Sequence, residues 1–302
     1  MNTEKIIFSL QIFLLSLILF TLIGCSEDSD DVVLTPEDER TGLIPDPSLE
    51  AAIRKAIDKP QGTITKGDLK EVTELDAGAV KDLTGLEYCT NLRKLRIGGP
   101  TTDLSPLSGL VNLQSLSLST GTTDISPLSS LINLQKLALE IPKISDLLAL
   151  EKLVNLRSLT LGLPRESYSD ISGLEGLTNL RYLDIRSGKV KDLSPLSSLV
   201  SLEDLWLRSY PIRDISFLSG LKKLQLLAIP CNEISDISPL SKLTSLRNID
   251  LSINKITDMS PLVDNPGIDR GDYVYLEGNP LSEESISIYI PILEERGVNV
   301  YF

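Results

Sequence analysis

One hydrophobic pattern recurs along most of this chain. The spacing Leu-x-x-Leu-x-Leu, with Ile at some positions, is repeated at intervals of 21 to 24 residues. The first leucine of each copy is Leu92, Leu113, Leu134, Leu156, Leu180, Leu202, Leu224 or Leu246. A unit of this length cannot bury its apolar face alone, whereas a stack of units shares one core. With a shortened copy before and a degenerate one after, the pattern predicts a solenoid of about ten coils over residues 69–281.

Each unit divides into a strand and a returning limb. Apolar and polar residues alternate in the first half, which predicts a short strand with its apolar side chains in the core. The apolar residues of the second half are spaced to pack against that strand. In one unit the inward residues are Leu202, Leu205, Leu207, Ile212, Ile215, Leu218 and Leu221. Stacked coils would join the strands into one parallel sheet, with the polar residues on its outer face.

The second half of the unit often reads Asp-x-Ser-Pro-Leu, as in the stretch from Asp124 to Leu128. Proline at a first helical position, with an aspartate three residues before it, predicts a 3₁₀ turn whose free N–H groups the aspartate caps. The aspartates recur once per coil, at Asp103, Asp124, Asp146, Asp170, Asp192, Asp214, Asp236 and Asp258. A metal-binding column is the alternative, but each aspartate has a local backbone role.

These half-motifs resemble the leucine-rich repeat family, in the repeat type of about 22 residues found in internalins. The resemblance covers residues 69–281 and implies an α/β solenoid: a right-handed arc with a parallel sheet on its concave side and 3₁₀ turns or short helices on its convex side. The asparagine that follows the strand in this family survives only at Asn232, Asn254 and Asn279. The other turns are expected to satisfy their backbone groups differently.

Both ends of the repeats carry cap signals. In residues 44–68, Asp46 precedes a proline and an apolar helical face, which predicts a helix that Asp46 caps. This segment resembles the helical N-terminal cap of internalins. In residues 282–302, Ser282 is expected to cap a helix, and Pro291 inside that helix predicts a kink or break. A closing strand is predicted from the alternation of Val298, Val300 and Phe302.

The first residues are not part of the predicted solenoid. An apolar run from Ile6 to Ile23 indicates a membrane-inserting segment. It ends in Leu-Ile-Gly-Cys, which resembles a bacterial lipobox and implies that residues 1–24 are a lipoprotein signal peptide and that Cys25 is lipidated. The alternative is an uncleaved transmembrane anchor, for which the run is long enough.

Residues 25–43 form an acidic stretch that is expected to be a disordered tether, because it has too little apolar surface to order itself. Calcium binding by Asp28, Asp30 and Asp31 is the alternative. That spacing lacks the glycine and the distal glutamate of an EF-hand, so a solvated spacer is favoured.

Composition narrows the classes of function. Lys and Arg total 29 against 42 Asp and Glu, so the net charge is −13, and the chain has no histidine. An acidic protein repels nucleic-acid phosphates, and without histidine the usual general base and the commonest metal ligand are missing. We expect no enzyme activity, cofactor, metal or nucleic-acid partner. A glycosidase pair of Asp184 and Asp204 is disfavoured on a flat sheet beside arginines.

Because the inward side chains form the core, a partner would be recognised by the outward positions of the sheet. The single tryptophan, Trp206, is expected beside Tyr182, with Arg186 and Arg208 adjacent, and these residue types are enriched at interface hot spots. The alternative is that scattered exposed aromatics simply cover the sheet. The predicted partner-binding residues are Tyr182, Asp184, Arg186, Asp204, Trp206, Arg208, Tyr210, Leu226, Tyr273 and Tyr275.

The sequence therefore predicts a monomeric, non-catalytic module that binds a protein or peptide on its concave face. It would be lipid-anchored to a bacterial membrane through Cys25, outside the cytoplasm. The alternative is a carbohydrate or cell-wall binding module that stacks sugar rings on Trp and Tyr. Salt separates the two, because screening weakens charged contacts and leaves stacking nearly unchanged.

Overall fold

In the computed structural model, the repeated units form coils that stack one on the next. The described residues are 42–302, apart from 145, 164–167, 187–188, 191 and 209–210. The predicted signal peptide and the lipidation site Cys25 lie outside the described residues. The same holds for the predicted tether and its three candidate calcium aspartates, apart from residues 42 and 43. Among the described residues, no helix has both the length and the apolar character needed to cross a bilayer.

Eleven strands of the described residues form one parallel sheet in which each coil pairs with the next, and β6 and β8 form a separate small ladder. The strands are β1 (Glu74–Ala79), β2 (Lys94–Gly99), β3 (Ser115–Thr120), β4 (Lys136–Glu140), β5 (Ser158–Gly162), β6 (Tyr168–Ser169), β7 (Tyr182–Arg186), β8 (Lys189–Val190), β9 (Asp204–Arg208), β10 (Leu226–Ala228), β11 (Asn248–Asp250), β12 (Tyr273–Tyr275) and β13 (Asn299–Tyr301). The predicted leucine-rich repeat arc, with this sheet on its concave side, is confirmed.

The phase of the strands follows the hydrophobic alternation. In β9, Leu205 and Leu207 are buried, whereas Trp206 between them is only partly buried and lies on the opposite face. Equivalent positions pair between coils, so Leu183 lies opposite Leu205. The same register extends along the sheet, and the inward leucines therefore form one continuous core.

Short 3₁₀ turns on the convex side close the coils. They span Leu86–Tyr88, Ser105–Leu107, Ser126–Ser130, Leu148–Leu150, Ser172–Leu174, Ser194–Ser198, Ser216–Gly220 and Ser238–Lys242, and the helix α3 (Ser260–Val263) takes their place in a later coil. Each aspartate of the once-per-coil column accepts a hydrogen bond of 2.7–2.8 Å from the backbone N–H two residues later. The capping role predicted for these aspartates is confirmed.

The asparagines after the strands connect neighbouring coils. Asn254 Oδ1 accepts from the Ile234 N–H at 3.1 Å, and its Nδ2 donates to the carbonyls of Leu251 and Ile229. Where this asparagine is missing, other groups act, as expected: the buried Thr122 hydroxyl donates to the Thr102 carbonyl at 2.9 Å.

A second ladder of asparagines, which was not predicted, lies just before the strands. In it the side-chain amide of each asparagine donates to a backbone carbonyl of the preceding coil; its members are Asn91, Asn112, Asn133, Asn155 and Asn179.

The N-terminal cap consists of the helices α1 (Pro47–Ala56) and α2 (Lys66–Lys70). Asp46 caps α1 and also accepts from the backbone N–H groups of Lys81 and Asp82, which joins the cap to the first coil. Burial opposes the charge of Asp46, but these backbone donors lower its pKa overall. The chain therefore has a helical cap at this end, and its second helix ends at Lys70, two residues beyond the predicted boundary.

The C-terminal cap is a helix followed by the closing strand β13. Its helix begins as a π-helical turn, Ser285–Tyr289, and continues as α4 (Ile290–Glu295). Pro291 lies in the first turn of α4, so the predicted break takes the form of a change of helix type where proline lacks an N–H. Val298 is buried as expected, but Phe302 is 57% exposed; its place in the predicted alternation was wrong because the strand ends before it.

Candidate functional site

The predicted binding residues come together on the outer face of the sheet at β7 and β9. Parallel register places Tyr182 beside Asp204, Asp184 beside Trp206, and Arg186 beside Arg208. We call Tyr182, Asp184, Arg186, Trp206 and Arg208 the arginine–tryptophan patch. Their side chains share one face because residues two apart in a strand point the same way.

Asp184 lies at the centre of this patch and is fully buried, at 0% exposure, although it belongs to the outer face. Arg186 Nε donates to Asp184 Oδ2 at 2.7 Å, and Arg208 Nε lies 3.9 Å from Asp184 Oδ1. Asp184 was predicted as one of the binding residues, and in the structure longer neighbouring side chains cover it. Its carboxylate instead fixes the two arginines.

Glu140 on β4 also belongs to this site. Arg186 Nη1 donates to Glu140 Oε1 at 3.3 Å. The two side chains meet above Gly162, which lies between them on β5. A Cβ at Gly162 would collide with the Glu140 carboxylate in its present position, so glycine here leaves room for Glu140 to reach Arg186. Burial raises the pKa of Glu140, although the nearby Arg186 charge opposes that shift.

The Arg208 guanidinium lies over the Trp206 ring, with 4.8 Å between Cζ and the ring centroid. This is a cation–π contact in which the indole supports the arginine from one side. The side chains of Arg186 and Arg208 remain 45% and 37% exposed. Among the described residues, Arg208 Nε and Asp184 Oδ1 have no hydrogen-bond partner, so they interact through charge alone.

The surroundings of the patch shift the pKa values of Arg186 and Tyr182. Burial disfavours the charged form of Arg186, but the hydrogen bond from Arg186 to Asp184 and the charges of Asp184 and Glu140 raise its pKa overall. Burial and the Asp184 charge raise the pKa of Tyr182, so this phenol stays neutral. The patch therefore offers two held guanidinium groups beside an aromatic surface.

The other predicted residues lie at varying distances from this patch along the sheet. Asp204 is partly buried, and burial followed by the Glu203 charge raises its pKa. Leu226 is its neighbour on β10 and is also partly buried. Tyr210 lies outside the described residues.

The two predicted tyrosines form a separate cluster at the C-terminal end of the sheet. Tyr273 and Tyr275 have ring centroids 6.5 Å apart, and Tyr275 stacks on Tyr301 at 4.8 Å with an interplanar angle of 9°. Tyr301 was missed by the sequence reasoning. The alternation of Val298 and Val300 was the signal that could have found it, since the residues beside them must face outward.

The acid pair considered for glycosidase chemistry is not arranged as two free carboxylates. Asp184 is held by two arginines, and Asp204 lies on the next strand beside Tyr182. In the described part of the chain, no three acidic or cysteine side chains are grouped as metal ligands.

Comparisons with known proteins agree with this architecture. Residues 178–220 and 222–264 match the family model described as Leucine Rich repeats (2 copies). The crystal structure of an internalin C2 (inlC2) from Listeria monocytogenes is 34% identical with a TM-score of 0.64, and the match covers 71% of this chain and 95% of that one. The chain belongs to the internalin family of leucine-rich repeat proteins. A second Listeria monocytogenes internalin, inlF, is 26% identical over 86% of this chain and 92% of its own, with a TM-score of 0.54.

A more distant structure is similar in its leucine-rich repeat fold alone. It is the repeat ectodomain of the plant membrane receptor kinase GASSHO1/SCHENGEN3 from Arabidopsis thaliana, in complex with CASPARIAN STRIP INTEGRITY FACTOR 2. It is 18% identical with a TM-score of 0.56, and the match covers 76% of this chain and 29% of the receptor. A search of curated proteins finds no match to the chain.

Proposed function

We propose that this internalin is a non-catalytic interaction module that binds a protein or peptide partner on its concave face, at the arginine–tryptophan patch. One observation carries the proposal: buried Asp184 holds Arg186 and Arg208 beside Trp206. A side chain that exists only to cover a sheet does not need such an arrangement. We further propose that lipid on Cys25 displays the module on the bacterial surface.

Pre-organisation is the physical basis of binding at this patch. Immobilising a long side chain on binding costs about 0.5–1.5 kcal/mol, and the contacts with Asp184 and Trp206 remove much of that cost for the arginines. The guanidinium groups stay partly exposed, and their planar N–H donors suit carboxylate or carbonyl groups of a partner. Burying the half-exposed indole would supply the apolar part of the contact.

The leucine-rich repeat fold supports this class of function, because the plant ectodomain that shares the fold was solved in complex with CASPARIAN STRIP INTEGRITY FACTOR 2. A glycan is the second candidate, favoured by one observation. The rings of Tyr275 and Tyr301 stack with a partly open face, a surface on which sugar rings can also stack. Partner affinity that falls steeply between low and high salt would support the protein partner, and salt-independent binding would support the glycan.

Trp206→Ala tests the proposal directly. The full chain, purified in a non-ionic detergent, would be used to capture surface material, and the retained partner would be titrated against variants. We expect W206A to weaken binding by about 2 kcal/mol or more, because the central anchor is lost. Ser117→Ala, in the same outward row on β3, is the matched control and should bind like the native chain. Equal affinities for the native chain and W206A would refute the patch.

A further inference from the structure

A second surface lies on the same face at the C-terminal end of the sheet. It consists of Tyr273, Tyr275, Tyr301, Asp250 and Glu277, and we call it the tyrosine–acid surface. We propose that this surface binds a cationic segment of the partner, rich in arginine or lysine. The inference rests on the proposed function because it assigns another part of the same concave face. It uses different residues, of which Asp250 lies in the same row as Trp206, two strands away.

The geometry of this surface is set by three adjacent strands. Asp250, Tyr275 and Tyr301 occupy one row across β11, β12 and β13. The Tyr275 and Tyr301 rings are stacked almost in parallel, with centroids 4.8 Å apart. Stacked rings present a joint π-face, and a guanidinium or ammonium group binds such a face by cation–π attraction.

Two carboxylates are oriented beside the rings. Asp250 Oδ1 accepts from the Ser252 N–H at 3.0 Å, and Glu277 Oε2 accepts from the Ser252 hydroxyl at 3.1 Å. Within the described residues, neither carboxylate forms an ion pair. Each therefore has lone pairs left for a cation from outside the chain.

Charge complementarity selects the occupant. The outward positions of β10 to β13, all of them among the described residues, hold no lysine or arginine. These positions are Leu226, Ala228, Asn248, Asp250, Tyr273, Tyr275, Asn299 and Tyr301. At the opposite end of the sheet, by contrast, acids and bases pair with each other: Lys94 with Glu74 at 3.5 Å, and Arg96 with Asp76 at 3.7 Å. Negative charge that the chain does not neutralise itself, next to exposed π-faces, fits a basic peptide.

The electrostatic surroundings of Tyr275 are consistent with this view. Burial raises the pKa of its phenol, and Tyr301, Tyr273, Glu277 and Asp250 raise it further. Of these causes, the negative charges of Glu277 and Asp250 also favour a positive charge nearby.

The test uses a hexa-arginine peptide that carries a benzophenone photo-cross-linker. The peptide is added below saturation to the full chain in non-ionic detergent, and the cross-linked residues are mapped by mass spectrometry. We expect cross-links on β12 and β13. Mapping matters because the acidic tether also attracts this peptide, and site-resolved yields separate the two.

Charge-removing variants then measure the contribution of the surface. The double variant Asp250→Asn with Glu277→Gln keeps both hydrogen bonds to Ser252 and should lower the β12–β13 cross-link yield by about fivefold. The pair Glu294→Gln with Glu295→Gln removes the same charge from exposed positions of α4 and should leave that yield unchanged. An equal drop in both double variants would overturn the proposal, since only net charge would then matter.

The aromatic contribution is tested by Tyr275→Leu against Tyr275→Phe. Leucine fills the position without a π-face and should lower the cross-link yield, whereas phenylalanine should retain it. Equal yields for the two variants would overturn the cation–π assignment. Failure here is distinguishable from failure of the proposed function, because the W206A variant should cross-link to hexa-arginine like the native chain while losing its partner.

Discussion

At the scale of single residues, Asp184 determines the geometry of the arginine–tryptophan patch. Its carboxylate is buried under Arg186 and Arg208 and holds both from the side opposite to solvent. A buried carboxylate is costly unless it is paired, so its contacts with the arginines are required for stability as well as for orientation.

Replacing Asp184 by Ala should therefore affect both stability and binding. We expect the free energy of unfolding to fall by about 1–3 kcal/mol as hydrogen-bond and charge partners are lost. Partner binding should weaken by about 1–3 kcal/mol, because two arginines must then be immobilised on binding. Urea unfolding and calorimetric titration measure the two effects. Asp76→Ala removes an exposed ion pair with Arg96 and serves as the control, with little change expected in either quantity.

Unchanged partner affinity in D184A would show that the arginines need no positioning. The Asp184→Asn variant refines the result. Its amide oxygen can still accept from Arg186 Nε but carries no charge, so its affinity should lie between those of the native chain and D184A.

Single residues also show what the sequence could and could not predict about the site. The outward direction of Trp206 follows from strand alternation alone, and the structure places it on that face. The burial of Asp184 was not predictable, because it depends on how long side chains from neighbouring coils fold over it. Glu140 was missed for a related reason: it reaches Arg186 over Gly162, across a strand that separates them.

At the scale of elements, hydrogen bonds between coils supplement the leucine core. Asn254 is buried and bridges its own turn to the preceding coils. Asn112 belongs to the other ladder and makes one bond, to the Thr90 carbonyl, at an exposed position. The two ladders should therefore differ in their effect on stability.

Asn254→Ala is expected to lower the free energy of unfolding by about 1–3 kcal/mol, because it leaves the buried Ile234 N–H without its acceptor. It also removes the donors that the Asn254 amide gives to the carbonyls of Ile229 and Leu251. Asn112→Ala should cost less than about 1 kcal/mol, since solvent can replace its single bond. Urea denaturation of both variants checks the difference. A cost for N112A equal to that for N254A would contradict the account of the buried ladder.

The aspartates of the convex turns predict how stability depends on pH. Hydrogen bonds from the serines two residues on lower the pKa of Asp103, Asp124, Asp170, Asp192 and Asp214 below the ordinary value of 3.8. A lowered folded-state pKa means that the unfolded chain binds protons more readily. The stability that these groups contribute is thus complete above the unfolded value and is lost as pH falls through the folded values.

Urea unfolding should therefore become easier as pH decreases below about 4. A variant with Asp124, Asp192 and Asp214 changed to Asn keeps an oxygen for each cap but cannot titrate, so its unfolding free energy should depend less on acid. Asp76→Asn is the control for a change of charge outside the turns. Identical acid dependence in the triple variant and the native chain would contradict this assignment.

The elements were predicted from the sequence to very different degrees. Strand phase, the aspartate caps and both terminal caps follow from short-range patterns, because period and capping chemistry are local. The π-helical turn before Pro291 was not predicted beyond a break, since helix type depends on how the cap packs on the last coil. The second asparagine ladder, which begins at Asn91, was not predicted, because its acceptor carbonyls belong to the preceding coil.

At the scale of the whole molecule, the outer face of the sheet changes character along the arc. Acids and bases pair with each other near β1 and β2, two held arginines lie beside Trp206 on β7 and β9, and carboxylates lie beside stacked tyrosines on β11 to β13. A partner with an acidic group near the arginines and a basic group near the tyrosines would bind in one orientation. This polarity is compatible with the net charge of −13, because it concerns local contacts.

The central claim is that a partner covers Trp206, and the chain offers a direct probe of it. Trp206 is the single tryptophan, so the full chain labelled with fluorotryptophan gives one fluorine NMR resonance from the centre of the proposed site. We predict that this resonance shifts and becomes less sensitive to a paramagnetic agent in solution when the captured partner is added. A partner that binds while the resonance keeps its position and its solvent exposure would contradict the account.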